Sequence, residues 1–372
     1  MRGVSTLPTQ DASAAYWQGY GSLQHHKHKI LASYLGAWFA ILGNRNRTLV
    51  YLDSHAGRGR HESGEPGSPL VALNQALEHL KAGRLSGRSI HLVFLEADAG
   101  NASELERQID ESCPDMPPEV RCHVVTADYE ERLTSLLDSV ASRQQVPPLF
   151  AFIDPFGFSL PLSLLNRVLA LPRSEILITF MVHYVNLAIC QGEQHGRTLD
   201  GLFGRPDWRH IASLESHERR NQEIVELFAQ GLDAEYTSKL RTLGKDNRTK
   251  YFLVHATNHH LGRTKFKEAI WRAGLGESWT ISERTSPLQL PLGSDPDLES
   301  LRESLLENFA GRTVSYRTLC HWLLATSFLE KHLRSVLKCL ERAAAIVVDR
   351  PPGRRGFNEK MNPTLTFPPQ KR

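Results

Sequence analysis

The stretch that decides the fold is Thr48–Arg60, TLVYLDSHAGRGR. Its apolar run ends in an acid, Asp53, and the turn that follows carries glycines at alternate positions, Gly57 and Gly59. This order predicts a buried strand that leads into a tight turn, where glycine tolerates positive φ and lets the backbone approach a ligand closely. Asp53 would then lie at the carboxyl end of a strand, which is where open α/β sheets bind their ligands.

Further apolar runs alternate with helical patterns along the chain. They predict strands at residues 89–96, 121–126, 149–153, 175–181 and 251–257. Short strands that are apolar almost throughout and alternate with helices are typical of a mostly parallel, doubly wound α/β sheet covered on both faces.

Three of these strands end at or beside an acid: Glu96, Asp128 and Asp154. Because parallel strands bring their carboxyl ends to one edge of a sheet, we expect these acids to converge with Asp53. Each acid taken alone could instead cap the helix that follows it.

Composition sets the outer limits. The chain has 372 residues, which is enough for two domains, and its net charge of +3 permits a nucleic-acid partner without requiring one. The five cysteines include no C-x-x-C pair. We therefore expect neither a disulfide framework nor a metal site, and we expect a reducing, cytoplasmic location. No apolar run approaches the roughly 20 residues of a membrane span, so no membrane partner is predicted.

Changes in composition predict the domain boundaries. Residues 1–22 are small and polar, as in a flexible N-terminal arm. A Rossmann-like domain is predicted at 23–285, with a helical insertion at about 187–248. A stretch rich in proline and turn-forming residues, 286–296, predicts a linker. Three helices and a basic stretch in 297–372 predict a small winged-helix-like domain.

Basic residues in that last domain are candidates for contact with nucleic-acid phosphates: His332, Arg334, Lys338, Arg354 and Arg355. The alternative is a protein-contact module with solvated charges. A second basic cluster, residues 25–29, begins the amphipathic helix predicted at 26–42. We favour a solvated helix start there over a phosphate or metal contact.

The acids and the glycine turn resemble the motifs of class I S-adenosylmethionine-dependent methyltransferases. Asp53-x-x-Ala56-Gly57-x-Gly59 is similar to their first motif, and Asp154-Pro155-Phe156 to their fourth. Four segments further resemble the bacterial three-Cys-motif partner (TcmP) family: KHKILASYLGAWFAIL, YLDSHAGRGRHESGEPGSPL, FAFIDPFGF and YFLVHATNHHLGRTKFKEAIWRAG. That family implies a separate partner protein that carries the three-Cys motif.

The resemblance implies that S-adenosylmethionine is the cofactor and assigns seven residues to it: Asp53, Ala56, Gly57, Gly59, Glu96, Asp128 and Tyr129. Asp53 would hold the methionine ammonium, and the glycines would let the backbone pass the methionine portion. Glu96 suits the two ribose hydroxyls. Asp128 would accept from the adenine amino group, with Tyr129 available for stacking.

The fourth motif implies three catalytic residues, Asp154, Pro155 and Phe156. Asp154 would orient or deprotonate a target amine, and Phe156 would stack on a planar base. The competing interpretation makes Asp154 a helix cap and Phe156 part of the core. The motif lacks the second proline that is usual in enzymes methylating nucleic-acid amines. Cytosine C5 chemistry is disfavoured, because it needs a thiolate and no cysteine lies near Asp154.

Three functions follow from these features. The first is a methyltransferase of the three-Cys-motif partner type, whose acceptor is an amino group of nucleic acid. The second is a methyltransferase-like cofactor-binding or scaffold protein that acts with a partner protein. The third is a winged-helix DNA-binding regulator whose large domain is a scaffold.

Overall fold

The computed structural model describes residues 19–141, 145–284 and 296–369. Residues 1–18 of the predicted arm (1–22) lie outside the described residues. So do residues 286–295 of the predicted linker (286–296). Internal contacts divide the chain into two compact units. Unit 1 is Met1–Ala269 with Thr280–Leu288, and unit 2 is Ile270–Trp279 with Gln289–Arg372.

An eight-stranded sheet forms the centre of unit 1. Its strands are β1 (Thr48–Asp53), β2 (Ser89–Glu96), β3 (Val120–Thr126), β4 (Leu149–Ile153), β5 (Glu175–Phe180), β6 (Tyr236–Leu243), β7 (Thr249–Thr257) and β8 (Thr280–Ser282). The spatial order is β3-β2-β1-β4-β5-β7-β6-β8. Strands β1 to β5 pair in parallel, and β7 runs antiparallel to both of its neighbours. The predicted mostly parallel, doubly wound α/β fold is confirmed.

The strand order reverses between β1 and β4. From β1 the chain proceeds outward to β2 and β3, whereas β4 lies on the other side and leads to β5. In sheets of this kind the loops that leave the carboxyl ends of the two strands at the reversal diverge, and the crevice between them is the usual ligand position.

Nine helices of the described chain flank this sheet or connect its strands. They are α1 (Ser22–Gly43), α2 (Ser68–Lys81), α3 (Ala99–Ser112), α4 (Tyr129–Ala141), α5 (Leu162–Leu169), α6 (Val182–Gln191), α7 (Gly196–Phe203), α8 (His217–Gly231) and α9 (His260–Arg272), the last of which continues into unit 2. Two 3₁₀ segments, Gly192–His195 and Pro206–Ser213, lie within this series. None of the described helices is long and apolar enough to cross a membrane.

The segment predicted as a helical insertion, about 187–248, is only partly helical. Its helices end with α8 at Gly231, and β6 follows and pairs with β7 along its whole length. The inward-facing residues of β6 are Ser238, Leu240 and Thr242. Because two of these three carry hydroxyls, the strand shows no apolar alternation in the sequence, and the prediction missed it.

Helix α1 is joined to the sheet by a buried polar cluster as well as by apolar packing. The Tyr34 hydroxyl donates a hydrogen bond to Oε2 of Glu175, the first residue of β5. His255 of β7 places its Nε2 3.0 Å from the same hydroxyl. All three residues are at most 8% exposed. The helix is thereby held at the amino end of β5, opposite the ligand edge.

Unit 2 contains three helices and a small sheet. The helices are α10 (Leu298–Phe309), α11 (Tyr316–Leu323) and α12 (Glu330–Arg342), and the strands are β9 (Thr313–Ser315), β10 (Val347–Asp349) and β11 (Thr364–Thr366). The strands pair antiparallel in the order β10-β11-β9. The loop between β10 and β11 contains the basic stretch predicted as a wing, and the whole arrangement is that of a winged helix.

We expect Tyr34→Phe to lower the free energy of unfolding by about 1–3 kcal/mol, because Glu175 loses a donor in a buried site. Urea unfolding at pH 7 measures this change. The double variant Tyr34→Phe/Glu175→Gln should recover part of the loss, since the amide carries no charge. A loss below about 0.5 kcal/mol in the single variant would contradict a stabilising role for the cluster.

Candidate functional site

Two acids lie on either side of the crevice where the strand order reverses. Asp53 ends β1, and Asp154 follows β4 directly. The two strands are neighbours, with Asp53 paired to Phe152. The structure therefore brings these two sequence-predicted residues to the same edge.

Asp53 is fully buried. Its Oδ2 accepts a hydrogen bond from the Tyr51 hydroxyl and its Oδ1 accepts one from the His55 amide, both at 3.3 Å. The pKa of Asp53 is raised from 3.8 to about 7, mainly by burial and in part by the charge of Asp154, against the opposing hydrogen bond from Ser68. Near neutral pH this carboxyl is therefore only partly ionised, and a cation placed beside it would be strongly favoured.

The glycine turn after β1 is held by the end of β2. Gly57 and Gly59 have φ values of 63° and 93°, and the Gly57 amide donates to Oε2 of Glu96 at 2.8 Å. The Ala56 amide donates to the Leu95 carbonyl at 2.9 Å. A Cβ on Gly59 would lie 3.1 Å from Leu105 of α3. The turn needs its second glycine for positive φ, as predicted, and also for close packing against α3, which the sequence analysis did not predict.

Glu96 and Asp128 both bind backbone amides. The second oxygen of Glu96, Oε1, accepts from the Asp98 amide at 2.9 Å. Asp128 accepts from the amides of Glu130 and Glu131 at 2.9 and 3.1 Å, so it caps the start of α4. The capping alternative therefore describes the contacts of Asp128. Each carboxylate oxygen has a second lone pair, so a further donor can still bind.

Tyr129 is more enclosed than the sequence indicated. Tyr129 is 7% exposed, and its hydroxyl donates to the Ser159 carbonyl at 2.6 Å. The centre of its ring lies 4.7 Å from that of His55. The ring that it contacts belongs to His55, which the sequence analysis did not select, and the two rings are tilted by 48° to each other.

Asp154 forms an ion pair with Lys27 of α1. Lys27 Nζ lies 2.5 Å from Asp154 Oδ2, and the side chains are 4% and 15% exposed. Burial alone would raise the pKa of Asp154, but the charge and hydrogen bond of Lys27 outweigh it and hold that pKa below its ordinary value. The next helix, α5, begins only at Leu162, with Pro161 as its cap. The alternative that Asp154 caps a helix is therefore wrong.

The two residues after Asp154 differ in exposure. Pro155 is buried, whereas Phe156 is 41% exposed and so does not fill the core. The core alternative for Phe156 is therefore wrong. Its ring lies at the ligand edge of the sheet, immediately after the acid.

We expected the basic cluster at the start of α1 to be solvated, but its three central residues are buried. His26, Lys27 and His28 are at most 4% exposed. His28 Nδ1 lies 2.9 Å from the Tyr20 hydroxyl, and the Tyr20 ring lies 4.9 Å from that of His61 in the glycine-rich loop. Tyr20, just before α1, therefore contacts both His28 and the loop after β1, and Lys27 contacts Asp154 in the loop after β4. Positive charge at a helix start is unfavourable. This was the one feature of the sequence that could have indicated that the cluster makes specific contacts.

The charged groups at this edge shift the pKa values of one another. The charge of Asp154 acts on Asp53, His28 and His55, and the charge of Asp128 acts on His55 as well. Burial lowers the pKa of His28 to about 3 and that of His55 to about 4, so both rings are neutral at pH 7.

No group of three or more metal-ligating side chains occurs in the part of the chain that the structure describes.

In unit 2 the candidate phosphate contacts divide into two kinds. His332 is 5% exposed, its Nδ1 accepts from the Leu329 amide at 3.1 Å, and its ring lies 4.4 Å from that of Trp271. It stabilises the start of α12 and does not face solvent, so its assignment to phosphate contact is wrong. The other four candidates, Arg334, Lys338, Arg354 and Arg355, are exposed.

The exposed face of α12 is more basic than the sequence analysis recognised. Residues at helical spacing along this face include Lys331, Arg334, Lys338 and Arg342, all exposed. Glu341 on the same helix is engaged by Arg350 through two hydrogen bonds of 2.5 and 2.7 Å. The helix therefore presents a row of cations.

Comparison with known proteins supports the winged helix of unit 2 through a family model. The family model for the GMT-like wHTH domain matches residues 280–353. No curated protein matches the sequence. Protein LPL1258 from Legionella pneumophila is 14% identical, with 62% of this chain and 84% of that chain covered and a TM-score of 0.37. The O-methyltransferase from Bacillus cereus in complex with SAH is 16% identical, covers 67% and 87%, and has a TM-score of 0.34. Similarities this low carry no functional argument.

We expect stability to reflect the raised pKa of Asp53. The folded chain keeps this proton to about pH 7, whereas an unfolded aspartate loses it near 4, so stability falls as pH rises through this window. Asp53→Asn removes the dependence and should stabilise the chain at pH 8 by at most about 4 kcal/mol, with little effect at pH 4. Urea unfolding between pH 4.5 and 8 tests this. The exposed Asp115→Asn is the control, and an equal pH response in both variants would contradict the assignment.

Proposed function

We propose that unit 1 is an S-adenosylmethionine-dependent methyltransferase of the three-Cys-motif partner type, acting on an amino group of nucleic acid. The observation that carries the proposal is Asp53, a buried and partly protonated carboxyl at the crevice, beside a glycine turn. Such a group is destabilised unless a ligand supplies a positive charge. S-adenosylmethionine carries two, on its ammonium and its sulfonium.

The charge balance at the edge supports a cationic cofactor over a phosphorylated one. Asp53, Glu96, Asp128 and Asp154 contribute four carboxyl groups, and Lys27 contributes one ammonium, which is already paired. A dinucleotide would bring negative phosphates into this field and be repelled. A positively charged nucleoside is attracted by the same field.

The residues present fit the parts of the cofactor. Asp53 would hold the ammonium, and Glu96 and Asp128 have lone pairs left for the ribose hydroxyls and the adenine amino group. When bound, the cofactor supplies a methyl group activated by its sulfonium. The chain's contribution is to align the acceptor nitrogen for an in-line displacement and to accept its hydrogen bond at Asp154. The exposed ring of Phe156 offers a stacking surface for a planar base.

A nucleic-acid acceptor is supported by unit 2. The row of cations on α12 and the exposed Arg354 and Arg355 of the wing are suited to a phosphate backbone. The same surface also supports a second candidate function, a DNA-binding regulator. A separate partner protein with a three-Cys motif remains part of the proposal.

Isothermal titration calorimetry with S-adenosylmethionine and S-adenosylhomocysteine tests the cofactor. We expect saturable binding of both, weakened roughly 10–100-fold by Asp53→Asn because a charge-assisted hydrogen bond is lost. Affinity of the unmodified chain should fall up to about tenfold per pH unit below 7, as Asp53 takes up its proton.

The Asp53→Asn variant should lack this pH response, and the exposed control Asp115→Asn should bind like the unmodified chain. Absence of binding in the unmodified chain, or an equal loss in the control, would overturn the enzyme proposal. Saturable binding would justify a radiolabelled-methyl screen against DNA, tRNA and rRNA.

Fluorescence anisotropy with labelled duplex DNA and RNA over a salt series tests the nucleic-acid partner. Lys338→Gln and Arg354→Gln should each reduce the slope of log K against log salt by about 1, because each removes one phosphate contact. Lys81→Gln, an exposed change on α2, is the matched control. Unchanged slopes in both test variants would exclude this surface as the phosphate-binding face.

A further inference from the structure

The Lys27–Asp154 ion pair is the most enclosed charge pair at the ligand edge. Lys27 is 3% exposed, and its Nζ lies 2.5 Å from Asp154 Oδ2 and 6.0 Å from the centre of the Phe152 ring. Removing two charges from water offsets most of their attraction, so a buried pair of this kind contributes little to net stability. Its position at the ligand edge therefore indicates another role.

One such role is to hold the Asp154 carboxylate in one orientation at the start of the loop after β4. After Asp154 the backbone is rigidified at Pro155, but Phe156-Gly157 follows without a second proline. A Cβ on Gly157 would meet nothing within 4 Å, so the backbone there has open space around it. Lys27, on the long helix α1, supplies the restraint from outside the loop.

The pair also makes the two acids of the crevice electrically different. Asp154 has a cation in contact, and its pKa is held below the ordinary value despite burial. The neighbouring Asp53 has hydrogen-bond donors around it, and burial raises its pKa to about 7. The Asp53 side of the crevice therefore favours a ligand cation, and the Asp154 side does not.

We propose that Lys27 is a positioning and specificity residue that supplies the counter-charge of Asp154, so that the acceptor position takes an uncharged N–H group such as the exocyclic amine of a nucleobase. Ammonium acceptors, such as a lysine side chain or a polyamine, are disfavoured. This inference rests on the proposed methyl transfer and adds the residue that selects its acceptor.

Proton balance leads to the same class. In the transfer the acceptor nitrogen donates its lone pair to the methyl carbon, the carbon–sulfur bond breaks, and the sulfur keeps the electron pair as a thioether. The methylated nitrogen, now cationic, then gives up a proton to the Asp154 carboxylate, which passes it to water. An ammonium has no lone pair until it is deprotonated, and its pKa near 10 is far above that of a carboxylate paired with lysine. A nucleobase amine is uncharged at the start and needs only a weak acceptor for its proton.

The variants Lys27→Met and Lys27→Arg test the role of Lys27. Lys267→Met is the matched control, since Lys267 is 2% exposed on α9 and so equally buried. The first readout is the ¹³C NMR chemical shift of the Asp154 carboxyl carbon, measured as a function of pH. The signal is assigned by its loss in Asp154→Asn. We expect titration below the ordinary range in the unmodified chain and in Lys27→Arg, and titration at least about 2 units higher in Lys27→Met.

The second readout is function in the full chain. Lys27→Met should reduce methyl transfer to nucleic acid by at least about 100-fold through kcat, with the Kd of S-adenosylmethionine within about threefold and with recovery in Lys27→Arg. Where no nucleic-acid substrate is labelled, 1-methylcytosine and butylammonium serve as probes on chain saturated with S-adenosylhomocysteine. The cytosine should shift the Asp154 signal at lower concentration than butylammonium does.

Three results would overturn the inference. They are an Asp154 carboxyl that titrates normally in the unmodified chain, preferential labelling of polyamine or lysine peptide, and a probe response led by butylammonium or absent for both. Failure of the unmodified chain to bind the cofactor is a different result. It would overturn the methyltransferase proposal, while the titration and the probes, then used without S-adenosylhomocysteine, would still decide the role of Lys27.

Discussion

The site depends on two buried polar contacts that hold α1 against the sheet. Two residues on this helix, Lys27 and Tyr34, are seven positions apart and so lie on one face, two turns from each other. Lys27 pairs with Asp154 at the carboxyl edge, and Tyr34 binds Glu175 at the amino end of β5. Because both contacts are buried hydrogen bonds, each one fixes the relative orientation of the two side chains that form it. A helix fixed at these two points sets the position of the loop after β4.

Much of the fold was predictable, because the parallel strands are mostly apolar and four of them, β1 to β4, end at or beside an acid. Strand β6 was missed since its inward residues include Ser238 and Thr242. The convergence of Asp53 and Asp154 was predicted from strand topology. Their different titration was not, because it depends on Lys27, which lies 127 residues before Asp154, and no local pattern shows which lysine will be buried there.

His332 illustrates an error that helical spacing could have prevented. It lies four residues before Val336 on α12, and so on the same face as that buried residue. The basic residues that do face solvent lie on the opposite side of the helix. Residue type alone selected His332, whereas the period of the helix places it in the core of unit 2.

The separation of paired residues in the chain also bears on synthesis. The two contacts that fasten α1 join residues 127 and 141 positions apart. At roughly 5–20 residues per second, the first helix leaves the ribosome roughly 6–28 s before its partners exist. During that interval a helix with a wide apolar face and an unneutralised lysine has no sheet to cover. The crevice is consequently a late product of folding, completed only after β5 has been made.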